Sequence, residues 1–75
     1  MLSRRENDAD GWVEVIFGSK AARSGGVVRR NAVWVAREVG EVRLVEEVRR
    51  RGFHMIRNGN QYVILCNAGG VQVIC

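Results

Sequence analysis

Apolar residues recur along this chain with two different periods. "WVEVIF", Trp12 to Phe17, has the look of a strand with Glu14 as its polar position and Gly18 as its stop. "EVRLVEEVRRRG" has a helical period instead. Leu44, Val45 and Val48 form a stripe that Val42 extends by a turn, while Arg43 with Glu47 and Glu46 with Arg50 fall four apart for pairing on the exposed side. Gly52 supplies a left-handed cap, and Arg49, Arg50 and Arg51 lie at the negative end of the dipole. The spacing predicts a helix over about 41–51. Between these segments, "VVRRNAVWVAREVG" satisfies both periods. Val28, Ala32, Val35, Ala36 and Val39 share a helical face that ends at Gly40, yet Val and Trp are poor helix formers. Composition tips this segment toward strand, with Gly25-Gly26 opening a hairpin back onto Trp12–Phe17.

A meander follows the helix. Asn58-Gly59 is a strong two-residue hairpin signal and sets Arg57 opposite Asn60, Met55 opposite Tyr62 and Phe53 opposite Ile64. "NAGG" turns again, placing Cys66 against Val71, Ile64 against Val73, and Cys75 opposite Tyr62. Cys66 and Cys75 are then too far apart for a disulfide. In this register Phe53, Met55, Tyr62, Ile64, Cys66, Val71, Val73 and Cys75 share a face that the helix covers. The other face is half apolar, and Ile56, Val63, Leu65 and Ile74 on it form a candidate partner interface. The N-terminal hairpin or a second copy of the chain should cover it, so a homodimer is expected. The expected fold is α+β: a small antiparallel sheet of four to five strands with one main helix packed on one face. Residues 11–75 form that domain, and residues 1–10, polar and without period, read as a flexible tail.

Composition narrows the function more than the fold. With 75 residues, 47% of them hydrophobic, the chain can bury one small core. Its net charge is +4, and eleven of its twelve basic residues are arginine, whose planar fork suits phosphate or carboxylate. No apolar run is long enough for a membrane span and no secretory h-region is seen, so a cytoplasmic location without membrane contact is expected. No C-x-x-C pair, and no Cys, His, Asp or Glu cluster around His54, calls for a metal or cofactor. Ser3, Ser19 and Ser24 have no histidine nearby in sequence to make a triad. Trp12 and Trp34 read as core rather than as stacking platforms. These features favour a non-catalytic, basic binding module with nucleic acid as its ligand. Arg43, Arg49, Arg50 and Arg51 are the candidate phosphate contacts, with Arg57 at the hairpin tip and Arg29 and Arg30 as auxiliaries.

Two family resemblances bear on this reading. "V-x-x-V-x-x-x-G-F", Val45 to Phe53, followed by a strand, a tight turn and another strand, resembles the end of winged-helix domains. That likeness implies "AVWVAREVG" as the preceding helix, Arg43, Glu47 and Arg50 facing DNA in the major groove, and Arg57 with Asn58 at the wing tip. "GFHMIR", the glycine turn, "QYVIL" and the closing "GGVQVI", within Leu44 to Cys75, resemble HicA-type toxins, small RNA-cleaving proteins with a double-stranded-RNA-binding-like fold. The family's catalytic histidine belongs just after the turn glycine, where this chain has Asn60 and Gln61, and neither can act as a general base. His54 is on the preceding strand. The second likeness therefore implies RNA or partner binding with cleavage lost. A third class is a protein-binding inhibitor or accessory protein of a mobile element, acting through the apolar sheet face.

Overall fold

A computed structural model describes residues 2–75, with side chains from Ala9 onward. The chain runs α1 (Leu2–Phe17), α2 (Lys20–Arg23), β1 (Val27–Asn31), α3 (Ala32–Glu38), α4 (Glu41–Arg50), β2 (His54–Asn58) and β3 (Gln61–Leu65). It is an α+β fold with one antiparallel sheet of three strands, in the order β1-β3-β2. The tail assigned to residues 1–10 falls largely outside the residues whose side chains are described, and Leu2 onward belongs to α1.

The expected strand at Trp12–Phe17 is the last part of α1. A six-residue apolar run fits either period. The helix buries Val13, Ile16 and Phe17, three and four apart, and turns Glu14 and Val15 outward. Trp12 packs edge-on against Trp34 of α3 at 4.9 Å between ring centroids, which ties α1 to α3. The ambiguous segment divides in two. Val27–Asn31 is strand β1, and "AVWVARE" is helix α3, which buries Ala32 and Val35. Asn31 ends the strand and caps the helix, its side-chain oxygen accepting from the Trp34 N–H at 2.9 Å. The lean toward strand across this whole segment is thus corrected: both periods were present, one in each part.

Only Val39 and Gly40 separate α3 from α4. So short a turn requires a backbone that L-residues rarely adopt, and Gly40 provides it with φ +93°. Helix α4 begins where expected and closes in a Schellman motif. The Phe53 N–H donates to the Val48 carbonyl and the Gly52 N–H to that of Arg49, each at 3.0 Å. Its buried stripe is rotated from the expected one. Leu44, Glu47 and Val48 face inward, Val45 is half-buried, and Val42 is 72% exposed.

The hairpin register also differs. His54 pairs with Leu65, Met55 with Ile64, Ile56 with Val63, Arg57 with Tyr62 and Asn58 with Gln61. The turn is therefore Gly59-Asn60 rather than Asn58-Gly59. Gly59 has φ +61° and Asn60 has no positive φ, so the turn follows the type II′ pattern, with glycine first. A shift of two residues keeps every side chain on its expected face, because the strand period is two. Tyr62, Ile64 and Cys66 are buried, with Met55 and Phe53 packed against that core. Strand β1 joins on the other side of β3, Val28 opposite Ile64 and Arg30 opposite Tyr62.

No fourth or fifth strand forms among the described residues, which corrects the expected strand count. The central strand is β3, hydrogen-bonded on both edges by β1 and β2, so Val71–Cys75 cannot pair back onto it. These last residues are exposed and carry no strand. Ile16, Val35, Leu44 and Ile64 are the fully enclosed side chains of the core, one each from α1, α3, α4 and β3.

Candidate nucleic-acid interface

Strand pairing gathers polar residues at the end of the sheet where the hairpin turns. One row across it reads Arg30, Tyr62, Arg57, and all three residues lie on the same face. The Arg57 guanidinium is 5.5 Å from the Tyr62 ring centroid, and its Nε donates to the Gly59 carbonyl at 2.9 Å. Arg30 donates to the Arg29 carbonyl at 2.7 Å. The next row, on the opposite face, is Asn31, Gln61, Asn58. The Ala32 N–H donates to the Asn60 carbonyl at 2.6 Å, which fixes the turn against the start of α3. Arg29, Arg30, Asn31, Asn58, Gly59, Asn60 and Gln61 line a shallow depression of about 390 Å³. No carboxylate of the described residues lines it. Amides and guanidinium groups together offer many N–H donors, the right chemistry for phosphate oxygens and base edges.

The arginines of α4 are arranged differently. Glu47, expected on the exposed side, is buried, with its side chain 3% exposed. Its carboxylate accepts from Arg43 at 3.1 Å and from Arg50 and Arg51 at 2.6 Å each. Arg43 also reaches Asp10 of α1, at 3.1 and 3.0 Å, and that bond, followed by the one to Glu47, raises its pKa further. The Arg51 guanidinium lies 4.5 Å from the centre of the Phe17 ring. Burial alone acts to raise the Glu47 pKa and is the largest single influence. Hydrogen bonds from Arg50, Arg51 and Arg43 jointly outweigh it and hold the carboxyl at about 2. The opposing cations explain why a carboxylate can remain charged in the core.

The seven arginines assigned to phosphate contacts thus occupy three places. Arg29, Arg30 and Arg57 belong to the hairpin end of the sheet, Arg30 and Arg57 flanking Tyr62 on one face and Arg29 beside Val63 on the other. Arg43, Arg50 and Arg51 surround Glu47. Arg49 stands on the outer side of α4, exposed. The clue to the sheet-end group was already present: Arg29-Arg30-Asn31 and Asn58-Gly59-Asn60-Gln61 are the polar ends of apolar strands. Bringing them together required the β1–β3 register, which the strand reading of Trp12–Phe17 had obscured.

Of the proposed partner interface, Ile56, Val63 and Leu65 lie together on the outer face of the sheet, joined by Val27 opposite Leu65. Ile74 is not among them, since it belongs to the unpaired C-terminal segment and is 81% exposed. His54 is half-buried, opposite Leu65 and at the far end of β2 from the turn. Cys66 is buried, which pushes its thiol pKa up against the opposing charge of Arg51, whereas Cys75 is exposed. No helix among the described residues is long and apolar enough to cross a membrane. Comparison with protein-family models, curated proteins and solved structures finds no match to this chain.

Proposed function

We propose that the chain is a small nucleic-acid-binding module of winged-helix type whose main contact is the hairpin end of the sheet. The observation carrying this reading is the hairpin end of the sheet, where Arg29 and Arg30 line a depression with amides and no carboxylate of the described residues, and Arg57 stands across Tyr62 from Arg30. Two helices joined by a glycine turn and followed by an antiparallel hairpin support the winged-helix part of it. In this reading the hairpin is the wing, and its tip delivers phosphate contacts from Arg57 and Arg30 while the amides approach the groove. The exposed side of α4 carries Glu41 and Glu46 beside Arg49, so it adds little attraction for a polyanion.

The test is fluorescence anisotropy with mixed-sequence DNA and RNA oligonucleotides over a salt series. Three phosphate contacts correspond to a slope of log affinity against log salt of about −2 to −3. Replacing Arg29, Arg30 and Arg57 together by Ala should remove most of that slope and weaken binding roughly ten-fold or more at low salt. Equal binding by the triple variant would defeat the assignment. A second reading takes the Val27, Ile56, Val63 and Leu65 face as a site for a protein partner, because these residues form one uncovered apolar patch. A chain with no affinity for either nucleic acid, in which Ile56→Glu abolishes capture of a protein partner, is the outcome that favours it.

A further inference from the structure

The outer side of α4 has a charge pattern that matches itself. Val42, Val45, Glu46 and Arg49 fall three and four apart along the helix, and with Glu41 they line a depression of about 460 Å³. Val42 is 72% exposed, and Val45 is half-buried. Glu41, Glu46 and Arg49 enter no salt bridge among the described residues. A second depression, lined by Val45, Val48, Arg49, Phe53, His54 and Met55, continues the first through Val45 and Arg49. The helix is acidic in its first turn, at Glu41, and basic in its last, at Arg49 and Arg50.

We infer that this face binds a second copy of the chain, α4 against α4 and antiparallel about a twofold axis. A twofold interface must be self-complementary, and direction decides whether this one is. Parallel helices would set Glu46 on Glu46 and Arg49 on Arg49. Antiparallel helices, with the axis between Val45 and Glu46, bring the two Val45 side chains, and likewise the two Glu46 side chains, within one residue rise of each other and lay Val42 against the stem of the partner's Arg49. Glu41 is then offset from the partner's Arg49 by one residue rise, about 1.5 Å along the axis. Each dimer gains this opposite-charge pair twice, against a single Glu46–Glu46 approach and no Arg49–Arg49 contact, and the helix dipoles also oppose. Nucleic acid is a poor occupant, because phosphates would meet Glu41 and Glu46. The inference is independent of the sheet-end reading, since it uses none of Arg29, Arg30 and Arg57.

One helix face with its adjoining depression is smaller than the roughly 800 Å² per partner of a standard interface, so the dimer should be weak, with a dissociation constant on the order of 10 µM. Sedimentation equilibrium on the full chain, without nucleic acid, tests it. Wild type is expected to be a reversible dimer, with Arg49→Glu raising the dissociation constant about ten-fold or more. The charge exchange Glu41→Arg with Arg49→Glu should restore it to within about three-fold. If Arg49→Glu does not fold, as judged by circular dichroism, Val42→Lys on the same exposed stripe supplies the same comparison. A monomeric wild type at several hundred micromolar overturns the inference. So does a dimer indifferent to both substitutions but broken by Ile56→Glu, which would move the interface to the sheet. Failure of the charge exchange to restore pairing overturns the antiparallel arrangement.

Discussion

Two groups of arginines in this small protein have the same side chain and opposite situations. Arg43, Arg50 and Arg51 close around the buried carboxylate of Glu47, whereas Arg29, Arg30 and Arg57 stand at the end of the sheet, Arg30 and Arg57 on the Tyr62 face and Arg29 on the other, in no salt bridge among the described residues. Net charge and arginine content count both groups alike. Burial and the position of one carboxylate separate them: the first group spends its hydrogen bonds inside the molecule, and the second keeps most of its donors for solvent or a ligand. A basic protein is therefore not basic everywhere to the same purpose, and the carboxylates decide which arginines remain available.

The largest expected effect breaks the first group. Glu47→Gln leaves three guanidinium groups around a neutral amide. Removing one partner of a buried ion pair costs about 3 kcal/mol or more, a fall in Tm of at least 12 °C or so at this size. Thermal melting followed by circular dichroism checks it, and a loss under about 1 kcal/mol would show that Glu47 does not organise α4. The sheet-end triple replacement should do the reverse. Its stability should stay within roughly 0.5 kcal/mol of wild type, because Arg29 and Arg57 are exposed, while nucleic-acid affinity falls. If stability falls and affinity does not, the roles of the two groups are exchanged.

Acid sharpens the contrast without mutation. Folding lowers the Glu47 pKa from its ordinary 4.5 to about 2. The folded state therefore binds its proton less readily than the unfolded chain. The stabilisation is fully present above about pH 4.5 and is lost as pH falls through the folded pKa. Allowing for the 70% exposure of the Arg50 side chain, which weakens its share by solvent screening, the loss amounts to about 2 kcal/mol. Urea midpoints at pH 6 and pH 2.5 measure it. The difference should shrink in Glu47→Gln, and an equal acid sensitivity in that variant would trace the loss to other carboxylates.

How much of this was legible in the sequence differs along the chain. Residues Glu41 to Leu65 are strongly periodic, end at glycines and contact near neighbours, so helix, cap and hairpin could all be read before the structure. The two-residue slip of the turn came from two overlapping dipeptides, Asn58-Gly59 and Gly59-Asn60, both good hairpin formers. The first half was harder to read because short Val-rich runs satisfy either period, and the choice depends on what they pack against. Ile16 faces a core formed by Val35, Leu44 and Ile64, all distant in sequence. The sheet-end group was hidden for the same reason: Arg30 and Arg57 become neighbours only through Tyr62, once β1 is known to flank β3.

The smallest expected effect lies at the rim of the Glu47 group. Asp10 bridges to Arg43 from α1 at 3.0 Å, with side-chain exposures of 69% and 35%. Water competes for both groups, and ordering two mobile side chains costs entropy, so Asp10→Ala should lose no more than about 0.5 kcal/mol. It should also leave Arg43 donating to Glu47, whose bond to it is separate. A double-mutant cycle of Asp10→Ala with Arg43→Ala isolates the pair, and a second cycle of Arg43→Ala with Glu47→Gln isolates its buried counterpart. The second coupling should exceed the first several-fold, because one Glu47 carboxylate has lost its water and the Asp10 carboxylate has kept most of its own. Equal couplings would mean that burial of Glu47 adds nothing, and the distinction between the two arginine groups would then rest on position alone.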